Sequence, residues 1–208
     1  MLEKNIVKEK RSIKSDFSLM AIMLIPIAIA INFVGGTLVG TLKLPLYLDS
    51  IGTFLIALLA GPWVGGLTGL VSILINSIAD PTLAPYSLLA ALAGLTAGFL
   101  ARMKMFTSLV KAIISGLIVA LMSVIGTVII RVAFFGGFGT SGISAIIAGM
   151  ISLGVPFWPA QFIGQFISEV PDKVISLIIP WIVVRSMSDR NLYKFSNGKI
   201  YIESRKKK

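Results

Sequence analysis

Long stretches almost free of charge recur along this chain, and nothing else in the sequence constrains its fold as tightly. Residues 17–36 and 112–130 contain no Asp, Glu, Lys or Arg at all. The hydrocarbon core of a bilayer is about 30 Å thick and takes about 20 apolar residues per helix, so such stretches read as membrane-crossing helices. Over the whole sequence 56% of residues are hydrophobic and only 13% are charged, too few to coat a surface facing water. Breaks fall at Lys43-Leu44-Pro45, Gly61-Pro62, Asp80-Pro81 and the glycine-rich 136–142, where continued helix is disfavoured. The pattern between them predicts helices at 17–36, 48–60, 62–79, 85–103, 107–134 and 159–185. The expected fold is an all-α integral membrane protein, a bundle of six transmembrane helices with both termini cytoplasmic. Residues 143–153, apolar and small, are expected to form a short helix at the outer interface or dipping into the membrane.

The formal charge of +10 sits mainly at the two ends. Lys4, Lys8, Lys10, Arg11 and Lys14 precede the first span, and Arg185, Arg190, Lys194, Lys199, Arg205, Lys206, Lys207 and Lys208 follow the last. Basic residues concentrate on the cytoplasmic side of membrane proteins, and Arg102, Lys104 and Lys111 in the connection between the fourth and fifth spans obey the same orientation. Lys43 in the first outer loop is the exception. The chain thus divides into a basic N-terminal segment at 1–16, a six-helix transmembrane domain at 17–185 and a basic tail at 186–208. The ends are expected to touch anionic lipid headgroups, with no nucleic-acid partner. The first apolar run is read as a retained helix, because a cleaved signal peptide would leave the other spans unexplained.

Cysteine and histidine are both absent, which removes disulfides, thiolate nucleophiles, Cys/His zinc sites and imidazole acid–base chemistry together. No G-x-x-x-x-G-K-[ST] phosphate loop occurs, and one half of the chain does not repeat the other. No catalytic residues, metal or cofactor are expected, and no phosphate loop supplies the bundle with an energy source of its own.

A polar group in a bilayer costs a few kcal/mol, so each one in a span calls for a partner, a cavity or a function. With helices alternating in direction, Asn32, Asp49, Asn76, Tyr86, Arg131, Gln161 and Gln165 all fall in the outer half of the membrane. Trp158 lies at its rim and Glu169 near the middle. Together with Tyr47, these residues describe an outward-opening pocket with aromatic walls and few charges, suited to a small amphipathic organic molecule. The competing reading is that they glue helices together or sit in the interfacial belt. Arg131 suits a substrate carboxylate, but equally a lipid headgroup or a pair with Glu169 or Asp49. Glu169 and Lys173, four residues apart on one helix, form an internal ion pair or, on a bolder reading, part of a proton- or sodium-coupled relay. Against the relay, no second carboxylate run lies at matching depth in another span. Small residues at four-residue spacing, Gly65 and Gly69 and then Ala93, Ala97 and Ala101, allow close helix approach.

Residues 44–53, LPLYLDSIGT, with 60–69, AGPWVGGLTG, and the Glu169 to Lys173 cluster make the chain resemble the substrate-binding S components of energy-coupling factor (ECF) transporters over 17–185. The resemblance implies a subunit in the plasma membrane of a prokaryote that captures a B-group vitamin or precursor, of the pantothenate, pyridoxine or hydroxymethylpyrimidine class. It also implies partners: a transmembrane coupling protein and two cytoplasmic ATPase subunits. The loop over 41–49 is expected to cover the site. Ala28 is followed four residues on by Asn32 instead of the family's second alanine, so the docking face is expected to draw on Ala21, Ala28, Gly65 and Gly69. The readings of a different class are a standalone ion-coupled carrier and a membrane sensor or scaffold.

Overall fold

A computed structural model describes residues 13–139 and 142–206. Lys4, Lys8, Lys10, Arg11, Lys207 and Lys208, on which much of the terminal charge rests, lie outside the described residues, as do Thr140 and Ser141 of the glycine-rich connection.

The described residues form helices joined by short turns: α1 (Ile13–Asp16), α2 (Leu19–Thr41), α3 (Ile51–Ala60), α4 (Pro62–Ala79), α5 (Ser87–Arg102), α6 (Leu109–Phe135), α7 (Gly142–Ser152), α8 (Phe157–Ser186), α9 (Asp189–Leu192) and α10 (Gly198–Lys206). A 3-10 turn, Pro81–Tyr86, leads into α5. Four stretches are long and apolar enough to cross a membrane: Leu19–Thr41, Pro62–Ala79, Pro81–Arg102 and Leu109–Phe135. At 1.5 Å per residue α8 is about 45 Å long, but it carries Glu169, Asp172 and Lys173 near its middle. The expected second span is shorter than its apolar run suggests. Only ten residues are helical, about 15 Å, or half the hydrocarbon thickness.

The bundle is turned inside out relative to a water-soluble protein. Ile118, Leu121, Ile125 and Ile129 on α6 and Phe162, Ile163, Phe166 and Ile167 on α8 face outward, while Ser115, Ser123, Gln161, Gln165, Ser168 and Ser176 of the same helices are buried. A continuous apolar exterior of this kind is at home in lipid and not in water.

Close backbone contact fixes the centre of the bundle. A Cβ added to Gly65 would lie 3.0 Å from the Gly94 carbonyl oxygen, and one on Gly69 would lie 2.4 Å from that of Ala90, so α4 and α5 meet antiparallel through their backbones. Ala21 and Ala28 on α2 are buried against Ile56, Ala60 and Val64. The expectation that Ala21, Ala28, Gly65 and Gly69 present a face to a partner is corrected here: all four are consumed by packing within the chain.

Helix α3 is buried along most of its length, with Phe54, Ile56, Ala57, Leu58, Leu59 and Ala60 sealed from the exterior. A short helix leaves unpaired N–H groups at its start and carbonyls at its end, and a buried helix cannot rely on solvent to satisfy them. Distant segments do so instead. Asn32 of α2 accepts hydrogen bonds from the Gly52 N–H at 2.7 Å and the Thr53 N–H at 3.4 Å. At the other end the Asn197 N–H donates to Leu59 O (3.0 Å), its side-chain amide to Leu58 O (3.1 Å), and the Tyr201 hydroxyl to Leu58 O (3.1 Å). Ser196 donates to Ala60 O. The basic segment after 186 therefore folds back, through α9 and α10, onto the end of α3.

Helix α2 also runs five residues beyond the expected boundary at Gly36. The Gly35-Gly36 pair does not end it. A Cβ on Gly35 would lie 2.1 Å from the Leu48 carbonyl oxygen, so the pair makes room for the returning loop.

Candidate binding site

That returning loop, 42–50, carries no regular structure over 46–50 and contains two left-handed residues, Lys43 (φ 50°) and Leu48 (φ 47°). Non-glycine residues adopt this region only when something compensates. At Leu48 the compensation comes from α8: Asp172 Oδ1 accepts hydrogen bonds from the Tyr47 N–H at 2.9 Å and the Leu48 N–H at 2.7 Å. The Tyr47 hydroxyl donates to Gln165 Oε1 at 3.2 Å, pinning the loop a second time.

Under the loop lies a cavity of about 180 Å³ between α4, α5, α6 and α8. Tyr47, Asp49, Tyr86, Arg131 and Glu169 line it, so five of the ten residues singled out from sequence converge on one space. Ile73, Leu83, Leu89 and Phe135 supply its apolar wall. The Phe135 ring lies parallel to that of Tyr86, at an interplanar angle of 4° with centroids 6.3 Å apart.

The other five sit elsewhere. Asn32 is fully buried and spends its side chain on α3 and on the hydroxyls of Thr53 (2.8 Å) and Ser72 (2.9 Å), and it does not line the cavity. Asn76 is half-buried, away from the cavity wall, with Oδ1 buried and unpaired. Trp158 is exposed and packs edge-on against Phe157. Gln161 donates to Gly137 O at 2.7 Å and braces the connection after α6. Gln165 touches the cavity only through Tyr47.

The charged groups form two poles. Glu169 Oε1 accepts from the Thr127 hydroxyl at 2.8 Å, while Oε2 lies 3.3 Å from Lys173 Nζ without a hydrogen bond of good geometry. Lys173 turns its ammonium more closely to Asp172, at 2.7 Å, and also lies 5.7 Å from the centre of the Tyr47 ring. The ion pair expected between Glu169 and Lys173 is present, but as the weaker half of a pair that Asp172 dominates. Asp49, which receives a hydrogen bond from Ser50, is in electrostatic reach of Lys173 and Asp172. Asp49 thus lines the same space as Glu169. It arrives on the loop before α3, so the expectation of no second carboxylate run in another span is unaffected.

Arg131 forms the other pole. It is 3% exposed and has no carboxylate within ion-pair distance among the described residues. Its Nε donates to Gly137 O at 3.1 Å and one terminal nitrogen to Ser144 of α7. The pairing with Glu169 or Asp49 that the sequence allowed is not made.

Comparison with family models, with curated proteins and with solved structures gave no match. Among the described residues no three His, Cys, Asp or Glu side chains are grouped so as to hold a metal ion. Thr127 and Ser123, also in the wall, were not expected there, and Lys173 was expected only as the partner of Glu169. Thr127 and Ser123 had a usable signal: with Arg131 they recur every four residues on α6 and so share a face.

Proposed function

We propose that this chain captures a small organic molecule at the outer face of a prokaryotic plasma membrane, as the S component of an ECF-type importer. On this reading the cargo is a B-group vitamin or precursor, and a transmembrane coupling protein with two cytoplasmic ATPases supplies the energy. The observation that carries the reading is the cavity beneath loop 42–50, roofed by Tyr47 and holding a buried Arg131 that no carboxylate of the described chain neutralises. A buried, uncompensated guanidinium is costly unless a ligand meets it. Mass spectrometry of small molecules released from the gently purified chain tests this. One organic species near stoichiometric amount is expected, lost from Arg131→Ala protein that still elutes as a single folded peak. Equal retention by both proteins would remove Arg131 from the site, and no retained molecule in either would count against capture.

The Asp49, Glu169, Asp172 and Lys173 cluster favours a second reading, an ion-coupled carrier that works alone. Uptake into energised vesicles containing only this chain would support it. Uptake that requires added coupling and ATPase subunits supports the first reading.

A further inference from the structure

Resting on the capture reading above, we infer that the molecule this cavity takes is a zwitterion, with a carboxylate for Arg131 and a protonated amine or quaternary ammonium for the Glu169 and Asp49 side, joined by an apolar body.

The charge inventory carries the inference. Among the described residues Lys173 is the one cation at the inner pole; Asp172 holds it at 2.7 Å while also clamping the loop, and Glu169 Oε2 stands farther off at 3.3 Å. That leaves Glu169, 3% exposed, with an oxygen that has no hydrogen-bond partner, and Asp49, whose side chain is met by the Ser50 hydroxyl. Both carboxylates line the same space. One lysine cannot pair with three carboxylates at once, and a buried carboxylate stays charged only where a counter-charge meets it. At the outer pole the imbalance has the opposite sign, since Arg131 is buried and faces no carboxylate among the described residues. A simple carboxylate would satisfy Arg131 and leave the inner pole in deficit. A simple amine would do the reverse.

The spacing of the poles limits the ligand further. Thr127, which holds Glu169, and Arg131 are four residues apart on α6, about 6 Å along the axis. Arg131 bends toward Gly137 and Ser144, beyond the end of the helix and away from Thr127, which widens the gap. The two charges of the ligand are therefore separated by more than the two bonds of an α-amino acid. Between them the wall is apolar and aromatic, formed by Tyr86, Phe135, Leu89 and Ile73.

The test uses a matched set of probes on the full chain in detergent: 6-aminohexanoate, hexanoate and hexylamine, followed by thermal shift and equilibrium binding. The zwitterion is expected to bind at least tenfold more tightly than either singly charged probe. Glu169→Gln should bring 6-aminohexanoate down to the level of hexanoate, and Arg131→Gln down to that of hexylamine. Hexanoate or hexylamine binding as tightly as 6-aminohexanoate overturns the inference while leaving capture intact. If none of the three binds, the retained native molecule decides. Carrying both kinds of charge, it supports the inference; carrying one or neither, it overturns it. No retained molecule and no probe binding overturn the inference and the capture reading together.

Discussion

Replacing Asn32 by alanine removes the side chain that starts α3. In the folded chain Asn32 makes four hydrogen bonds: it accepts from Gly52 N–H (2.7 Å) and Thr53 N–H (3.4 Å), and donates to Thr53 Oγ1 (2.8 Å) and Ser72 Oγ (2.9 Å). Side-chain hydrogen bonds between membrane helices average about 0.6 kcal/mol, so the three short ones sum to roughly 2 kcal/mol. The hydroxyls of Thr53 and Ser72 can turn back to carbonyls of their own helices, but the Gly52 N–H has no such recourse. A buried donor left unpaired adds about 1 kcal/mol or more. The expected loss is roughly 3 kcal/mol, about a hundredfold in the folding equilibrium. Unfolding by SDS, followed by circular dichroism, measures it. Asn32→Asp, which keeps the acceptor for Gly52 and gives up the donors, should fall between wild type and alanine. A loss below about 0.5 kcal/mol for Asn32→Ala would refute the capping argument. So would a variant of native stability that has lost its retained small molecule, since Asn32 would then be touching the ligand.

Asp172→Leu removes the acceptor that holds Tyr47 and Leu48, so trypsin should cut after the exposed Lys43 at least tenfold faster; an unchanged rate would mean the loop is held by other contacts. Gly94→Ala places a methyl 2.3 Å from the Gly65 carbonyl oxygen, backbone against backbone, and should cost about 1–3 kcal/mol by pushing α4 from α5. The same SDS titration reads it, and native stability would show that the two helices can part without loss. Tyr201→Phe gives up the bond to Leu58 O, worth about 1 kcal/mol. Burial also raises the Tyr201 phenol above its ordinary value of 10.0, so the folded state keeps its proton where the unfolded chain has lost it. This contribution is complete below pH 10 and declines as pH rises above it, and the decline should be shallower in the phenylalanine variant.

How much was legible in advance differs between elements. The bounds of α4 follow directly from Gly61-Pro62 and Asp80-Pro81, because proline and glycine act on the backbone locally. The end of α2 did not follow, since Gly35-Gly36 reads as a stop from sequence and serves in the fold as a landing place for Leu48. Within the site, Arg131 and Glu169 were legible because a polar group in an apolar span is conspicuous against its background, and Tyr47, Asp49 and Tyr86 because they stand at the edges of apolar runs. Asn32 was equally conspicuous and belongs to another task.

The sequence by itself determined that the chain is helical and built for lipid, because hydrophobicity and chain-breaking residues are local properties that do not depend on neighbours in space. It also determined which polar groups had to be accounted for. Only the tertiary structure decided where each of them is satisfied. Glycine pairs that resembled a docking face close α4 onto α5, a basic tail becomes the cap of α3, and Asp172 reaches 125 residues back along the chain to hold the roof of the cavity. Partnership between groups so far apart in sequence depends on which helices come to lie side by side, and no local pattern records that.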